Sequence, residues 1–380
     1  MDFTLDSEQI ALRDAVRSLL GRAYDSSETR REVTKTDPGW DEKTWQQLAE
    51  MGALGLPFAE EDGGFGAGPV EVSIVAEEIG RVIAPEPYVE AVVLAGGLVA
   101  AAGTAEQRAE ILGALAEGAL VPAFAHVELA SRYNERAYAV TASSSDGGWT
   151  LSGVKEPVLG GGRADLLIVS ADVDGATSLF LVQPDAAGMT RTSYATFDGG
   201  RAAHVAFDST PATPLGEAGA DQSAVIAQAV AAAQIAYGHE SLGAMATALQ
   251  QTTDYLKTRK QFGVPLMTFQ ALTFRAADMY VSLELARSTV TWATLVLLDG
   301  DVHASIEAAS RAKLQVSKAG RHIGQEAIQL HGGIGMTAEY SVGHFTSRLT
   351  AIDHVLGDGR HHLGALATTL GDHGVIEPLA

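Results

Sequence analysis

Tyr255-Leu256-Lys257-Thr258-Arg259-Lys260-Gln261-Phe262-Gly263-Val264-Pro265-Leu266, followed by Phe269-Gln270-Ala271-Leu272, is the stretch on which the reading of this chain turns. A helix runs into a cluster of cations, the backbone turns at Gly263 and Pro265, and a new helix starts. Arg259 offers a fork for a pyrophosphate, Phe262 an aromatic face for a base, and the glutamines offer edge hydrogen bonds. The plainer alternative is a basic helix C-terminus that complements the helix dipole. A second stretch, Gln329-Leu330-His331-Gly332-Gly333-Ile334-Gly335-Met336, sets three glycines just past a helix, where backbone can approach a ligand closely. Its alternative is a glycine-rich helix cap.

Around these stretches the texture is helical. Leu272, Ala276, Met279, Leu283, Ala286 and Val290 recur at bundle-seam spacing, as do Ala312, Val316, Ala319, Ile323, Ala327 and Leu330. Residues 222–257, rich in alanine and free of proline, form a third long helix candidate. Upstream, Trp149–Leu151, Leu166–Ser170, Ser178–Val182 and His204–Phe207 are short apolar runs divided by Gly/Asp turns, the pattern of antiparallel strands. Before them, Asp6-Ser7-Glu8 caps a helical pattern, and others cover Lys43–Met51, Val70–Val82 and Ala105–Glu117. The expected class is α+β. A helical N-terminal domain is expected over 1–118, a β-barrel or sandwich over 119–214, and a helical bundle over 215–380.

Composition narrows the function. At 380 residues the chain exceeds one core, so two or three units are expected. A net charge of −21 argues against nucleic acid and makes any phosphate-bearing ligand depend on local cations or helix N-termini. Without cysteine there is no disulfide, thiolate metal site or thiol nucleophile. No apolar run approaches the ~20 residues that span a bilayer, and Met1-Asp2-Phe3-Thr4-Leu5-Asp6 does not open a secretory signal. A cytoplasmic location is the simplest expectation. His354, His361, His362 and His373 lack metal-ligand spacing and read as surface or interface histidines. Arg311, Lys313, Lys318 and Arg321 read as a solvated helix face.

The Arg259-x-x-Phe262-Gly263 turn, the Phe269-Gln270 pair and the Gln329–Gly335 loop follow one another as in the acyl-CoA dehydrogenase family. So do Trp45-x-x-Leu48-Ala49-Glu50-Met51-Gly52 running into Pro57–Gly66, and Trp149–Lys155. The chain resembles that family along nearly its whole length, above all its bacterial small-subunit type in dicarboxylic-acid and steroid side-chain degradation. The resemblance implies a helix–β–helix fold assembled as a dimer of dimers, with FAD across a subunit boundary. Arg259, Gln261, Phe262, Gln270, Gln329, Gly332 and Gly333 match the clamp on its ADP end, and Glu128 and Ser131 match parts of the flavin-ring cradle. The implied chemistry takes an α-proton from an acyl-CoA to a carboxylate while the β-hydride passes to the flavin, giving the 2-enoyl-CoA of lipid β-oxidation. An electron-transfer flavoprotein or similar acceptor is the implied redox partner. The implied assembly is a homotetramer or an α2β2 heterotetramer with a larger homologous subunit.

Departures stand beside the matches. Where relatives carry the base immediately before a glycine, Leu356 precedes Gly357, and the second family position falls on Ala233. Glu240, about two turns beyond Ala233 in an apolar stripe, is the remaining candidate base. Its alternative is a buried acid bonded to a helix end or a partner. In Lys155-Glu156-Pro157-Val158-Leu159-Gly160-Gly161, Leu159 replaces the threonine that bonds the flavin, a loss that backbone N–H groups can make good. Three readings follow: a dehydrogenase with an unusual base, a non-catalytic subunit that clamps a partner's FAD, or a related flavin oxidase.

Overall fold

The computed structural model describes residues 4–131, 133–134, 136–145 and 148–372. Helices α1 (Ser7–Ala23), α2 (Ser27–Lys35), α3 (Glu42–Glu50) and α4 (Pro69–Val82) open the chain. A π-helix, Tyr88–Gly96, then runs into α5 (Gly97–Ala102) and α6 (Ala105–Ala116). Asp6 caps α1 as expected: it accepts from the Glu8 and Gln9 amides, and its own N–H donates to Gln9 Oε1 at 3.1 Å.

The β region contains β1 (Pro122–Ala125), β2 (Thr141–Ser145), β3 (Gly148–Leu159), β4 (Leu166–Val173), β5 (Ala176–Val182), β6 (Met189–Ala195) and β7 (Arg201–Pro214). Pairing runs β4–β2–β3–β7–β5 and returns to β4, which closes a five-stranded barrel. Strand β1 adds in parallel to β4, and β6 adds antiparallel to β7. Leu151, Val158, Val169, Phe180 and Val205 fill the interior. A charge pair sits among them. Lys155, 0% exposed, donates to Glu128 Oε1 at 2.6 Å, to the His126 carbonyl and to Ser170. Burial pulls Lys155 down to about 8, with Glu128 opposing. For Glu128 burial acts upward, yet Lys155 and the Ala139 and Val140 amides hold it below the ordinary carboxylate range.

The second helical unit contains α7 (Ser223–Thr258), a tight hairpin of β8 (Lys260–Gln261) and β9 (Val264–Pro265), and α8 (Gln270–Leu298). Then come α9 (Val302–His331), α10 (Val342–His354) and α11 (Gly359–Thr368). Both predicted seams are buried from Met279 to Val290 and from Ala312 to Leu330. The opposite face of α8 leaves Phe274, Tyr280, Val281 and Leu285 exposed. The bilayer expectation needs correction here, since α8 is long and apolar enough to span one by length and composition. Two surface assignments also change. Lys313 is 1% exposed because it donates to the Ile352 and Val355 carbonyls at the end of α10. His362 is buried beside Ser310, whereas His354 and His361 are exposed and His373 lies outside the described residues.

Helices α4 and α7 cross backbone to backbone. A Cβ on Gly80 would stand 1.8 Å from the Glu240 carbonyl oxygen, and one on Gly243 2.0 Å from that of Glu77. Gly80→Ala is therefore expected to lower stability by about 1–3 kcal/mol in urea titrations. Gly21→Ala, with open space on α1, should be neutral or stabilising in the same titration.

Candidate functional site

A cavity of about 370 Å³ opens between the barrel and the helices. Pro157, Leu159 and Gly160 at the end of β3 form one wall, with Tyr194 of β6 and Phe197 of the following turn. Glu86 and Glu90, before and within the π-helix, face them, and Arg348, Ala351 and Val355 close the remaining side from α10. The β segment matched to the flavin ring and the C-terminal segment matched to the base thus share one cavity.

None of the three base positions presents a free carboxylate there. Ala233 is buried and apolar. Leu356 adopts φ +55°, and its carbonyl accepts from Gln234 at 2.6 Å, so the segment is held with leucine in place. Glu240 is 1% exposed and does not line the cavity. Its Oε1 accepts from Arg348 Nε at 2.6 Å, and Arg348 donates again to Asp198 Oδ2 at 3.0 Å. Burial opposes the charge on Arg348, but Glu240 and Asp198 raise it well above the ordinary arginine value. Arg348 likewise holds Asp198 low against desolvation. Arg348 was not singled out from the sequence, because nothing local marks an arginine as the partner of an acid 108 positions away.

The carboxyls that do face the cavity were also missed. Burial pushes Glu86 up to about 7 although the Tyr24 hydroxyl donates to it. Burial likewise raises Glu90, with Arg348 opposing. In the native state Glu86 thus favours its protonated form. The stability this gives is full below about 4.5 and is lost as pH rises towards 7. Glu86→Gln should flatten the fall, on the order of 3 kcal/mol, between urea midpoints taken at about pH 5 and pH 7.5.

The ring-end residues are engaged internally. Glu128 accepts from the Tyr138, Ala139 and Val140 amides as well as from Lys155, and Ser131 donates to it at 3.4 Å. Through these bonds the Glu128 carboxylate is tied to the residues entering β2 and to β3. Two amides next to Leu159 are engaged, Gly160 N–H by the Arg201 carbonyl and Gly161 N–H by that of Val158.

The ADP-end residues present the opposite picture. Tyr255 at the end of α7 lies against His331 at the end of α9, ring centroids 4.5 Å apart, so the two glycine-bearing stretches meet at one end of the bundle. The β8–β9 turn carries Phe262 at φ +53° and 93% exposed, beside exposed Arg259 and Gln261. Arg259 has no ion pair among the described residues. Gln270 and Gln329 are exposed. A Cβ on Gly333 would meet nothing within 4 Å, so internal packing does not demand that glycine. An open cation, a bare aromatic face and an uncovered backbone fit an adenine dinucleotide's ADP end. None of them lines the cavity beside the barrel.

Comparison with known proteins gives the chain's family. The model of the acyl-CoA dehydrogenase N-terminal domain matches residues 6–119, and that of the C-terminal domain matches 223–369. Acyl-CoA dehydrogenase FadE27 of Mycobacterium tuberculosis is 28% identical, covering 98% of this chain and 99% of its own length. The Tcur3481-Tcur3483 steroid acyl-CoA dehydrogenase is 31% identical at a TM-score of 0.87, covering 97% and 99%. The ChsE4-ChsE5 complex of Mycobacterium tuberculosis is 25% identical at 0.89, covering 99% and 100%.

Proposed function

Since the chain belongs to the acyl-CoA dehydrogenase family of FAD-dependent oxidoreductases, we propose that it works as the cofactor-clamping subunit of a hetero-oligomeric dehydrogenase. The larger homologous partner supplies the flavin-ring platform and the base. One observation carries this reading: Glu240 is locked to Arg348 while Leu356 and Ala233 occupy the other base positions, yet the ADP-end residues stand open. Two of the relatives, ChsE4-ChsE5 and Tcur3481-Tcur3483, are paired chains, and the second acts on steroids. We carry both features over: an α2β2 assembly acting on a bulky steroid side-chain acyl-CoA, with an electron-transfer flavoprotein as acceptor.

In this assembly Arg259 binds pyrophosphate through its fork, Phe262 stacks on the adenine, and Gln261, Gln270 and Gln329 donate to the ribose and phosphates. Gly332 and Gly333 let backbone come close. FAD, when bound, takes up the two electrons and the β-hydrogen of the thioester. Glu240 contributes by neutralising Arg348, and the bare α8 face packs against a neighbouring subunit.

The test is flavin content. The chain alone should be colourless and gain flavin only when copurified with its genomic neighbour; about one FAD per chain in the isolated protein overturns the reading. Within the complex, Arg259→Ala should weaken FAD binding by roughly tenfold or more with assembly retained. Glu240→Gln should leave turnover within a few-fold of wild type, and loss of acyl-CoA-dependent bleaching in that variant would return Glu240 to the role of base.

A further inference from the structure

Three rings meet beneath the open end of the bundle. Tyr255 of α7 lies 4.5 Å from His331 of α9, centroid to centroid. Tyr340, just before α10, lies 4.8 Å from His331 and edge-on to Tyr255 at 6.4 Å. Two of these rings lead straight to residues of the open surface. The Tyr255 carbonyl accepts the Arg259 N–H at 2.8 Å, and His331 precedes Gly332 in the chain. Among the described residues no backbone hydrogen bond joins the β8–β9 turn to the loop at 332–336. The rings span that gap, helped by Ser341 Oγ, which donates at 2.8 Å to Gln251, one turn before Tyr255. His331, 4% exposed, is fixed at both ring nitrogens. Its Nδ1 lies 2.7 Å from the Ala327 carbonyl, which can only accept, so Nδ1 carries the proton. Burial lowers the pKa of the imidazole, with the Ala327 bond opposing, and so favours the neutral ring. Its Nε2 therefore accepts from the Tyr340 hydroxyl at 3.2 Å. A Cβ on Gly335 would stand 3.1 Å from that of His331, so the glycine loop folds back over the same side chain.

We infer that His331 and Tyr340 are positioning residues, which hold Arg259 and the Gly332–Gly333 backbone at the separation that one diphosphate ligand requires. Neither belongs to the open surface itself, since His331 is buried and Tyr340 half-buried. They act through Tyr255 on Arg259 and through the chain on Gly332. The inference rests on the clamping role proposed above and deepens it by naming what presets the clamp. A ligand gripped from two sides is bound more weakly when either side drifts, because the ordering must then be supplied at binding.

A double-mutant cycle on the complex with the genomic neighbour tests this, with FAD dissociation constants read from flavin fluorescence on dilution. Tyr340→Phe keeps the ring and removes only the hydroxyl, so the fold is kept while FAD should bind about three- to tenfold more weakly. In the Arg259→Ala background the same change should weaken binding by less than about twofold, because the turn then has little left to place. A residue that merely supports the fold would lower affinity by the same factor in both backgrounds, and that result overturns the inference. Wild-type affinity in Tyr340→Phe, with Arg259→Ala binding weakly, overturns it too and leaves the clamping role standing. Wild-type affinity in Arg259→Ala sinks the clamping role itself, and this inference with it.

Discussion

The guanidinium of Arg348 stands where three parts of the chain meet. It comes from α10, bonds Glu240 on α7, and bonds Asp198 in the turn between β6 and β7. Arg30 of α2 then grips the Asp198 carbonyl and that of Ile83, bringing the first helices into the same knot. Buried charges of this kind are tolerable only as a complete set, because each member left alone keeps its desolvation penalty. The angle of barrel to bundle, and so the shape of the cavity between them, depends on that set. The arrangement also explains why an acid in the middle of an apolar helix persists. Its Oε1 is engaged by Arg348, so the acid serves the knot.

Periodicity made much of the architecture legible beforehand. The seams through Met279–Val290 and Ala312–Leu330 can be read because side chains four and three apart share one face. The strands around Leu166 and Ser178 can be read because turns bracket them. The π-helix Tyr88–Gly96 could not be, since its run, apolar but for Glu90, has neither helical nor strand alternation. Strand β2 is a polar Thr-Ala-Ser-Ser-Ser whose strand character comes from pairing with β3. The charged residues gave least away. Lys313 is buried only because α10 ends with its carbonyls over it, and Glu128 is sequestered by a lysine from the next strand but one. Such facts belong to tertiary structure, and no local pattern announces them.

The two ends of the cofactor binding region follow different physical rules. The residues matched to the clamp lie near chain turns and helix ends, and the family resemblance, not spacing by itself, singled them out there. The ring end depends on which backbone amides remain free and which carboxyls are neutral. Gly160 and Gly161 have their N–H groups engaged, and Glu86 is held protonated by burial. Both conditions are set by neighbours distant in sequence. The half that reads clearly is also the half that stands open.

The bare face of α8 has a consequence for the cell. A chain that displays Phe274, Tyr280, Val281 and Leu285 to water is prone to self-association and to capture by quality-control machinery until that face is covered. Its folded lifetime then tracks the supply of whatever covers it, by mass action. Synthesis in excess of that supply yields degradation or aggregate in place of surplus protein. Production of the chain in step with its cover thereby becomes a selective requirement written into the surface of one helix.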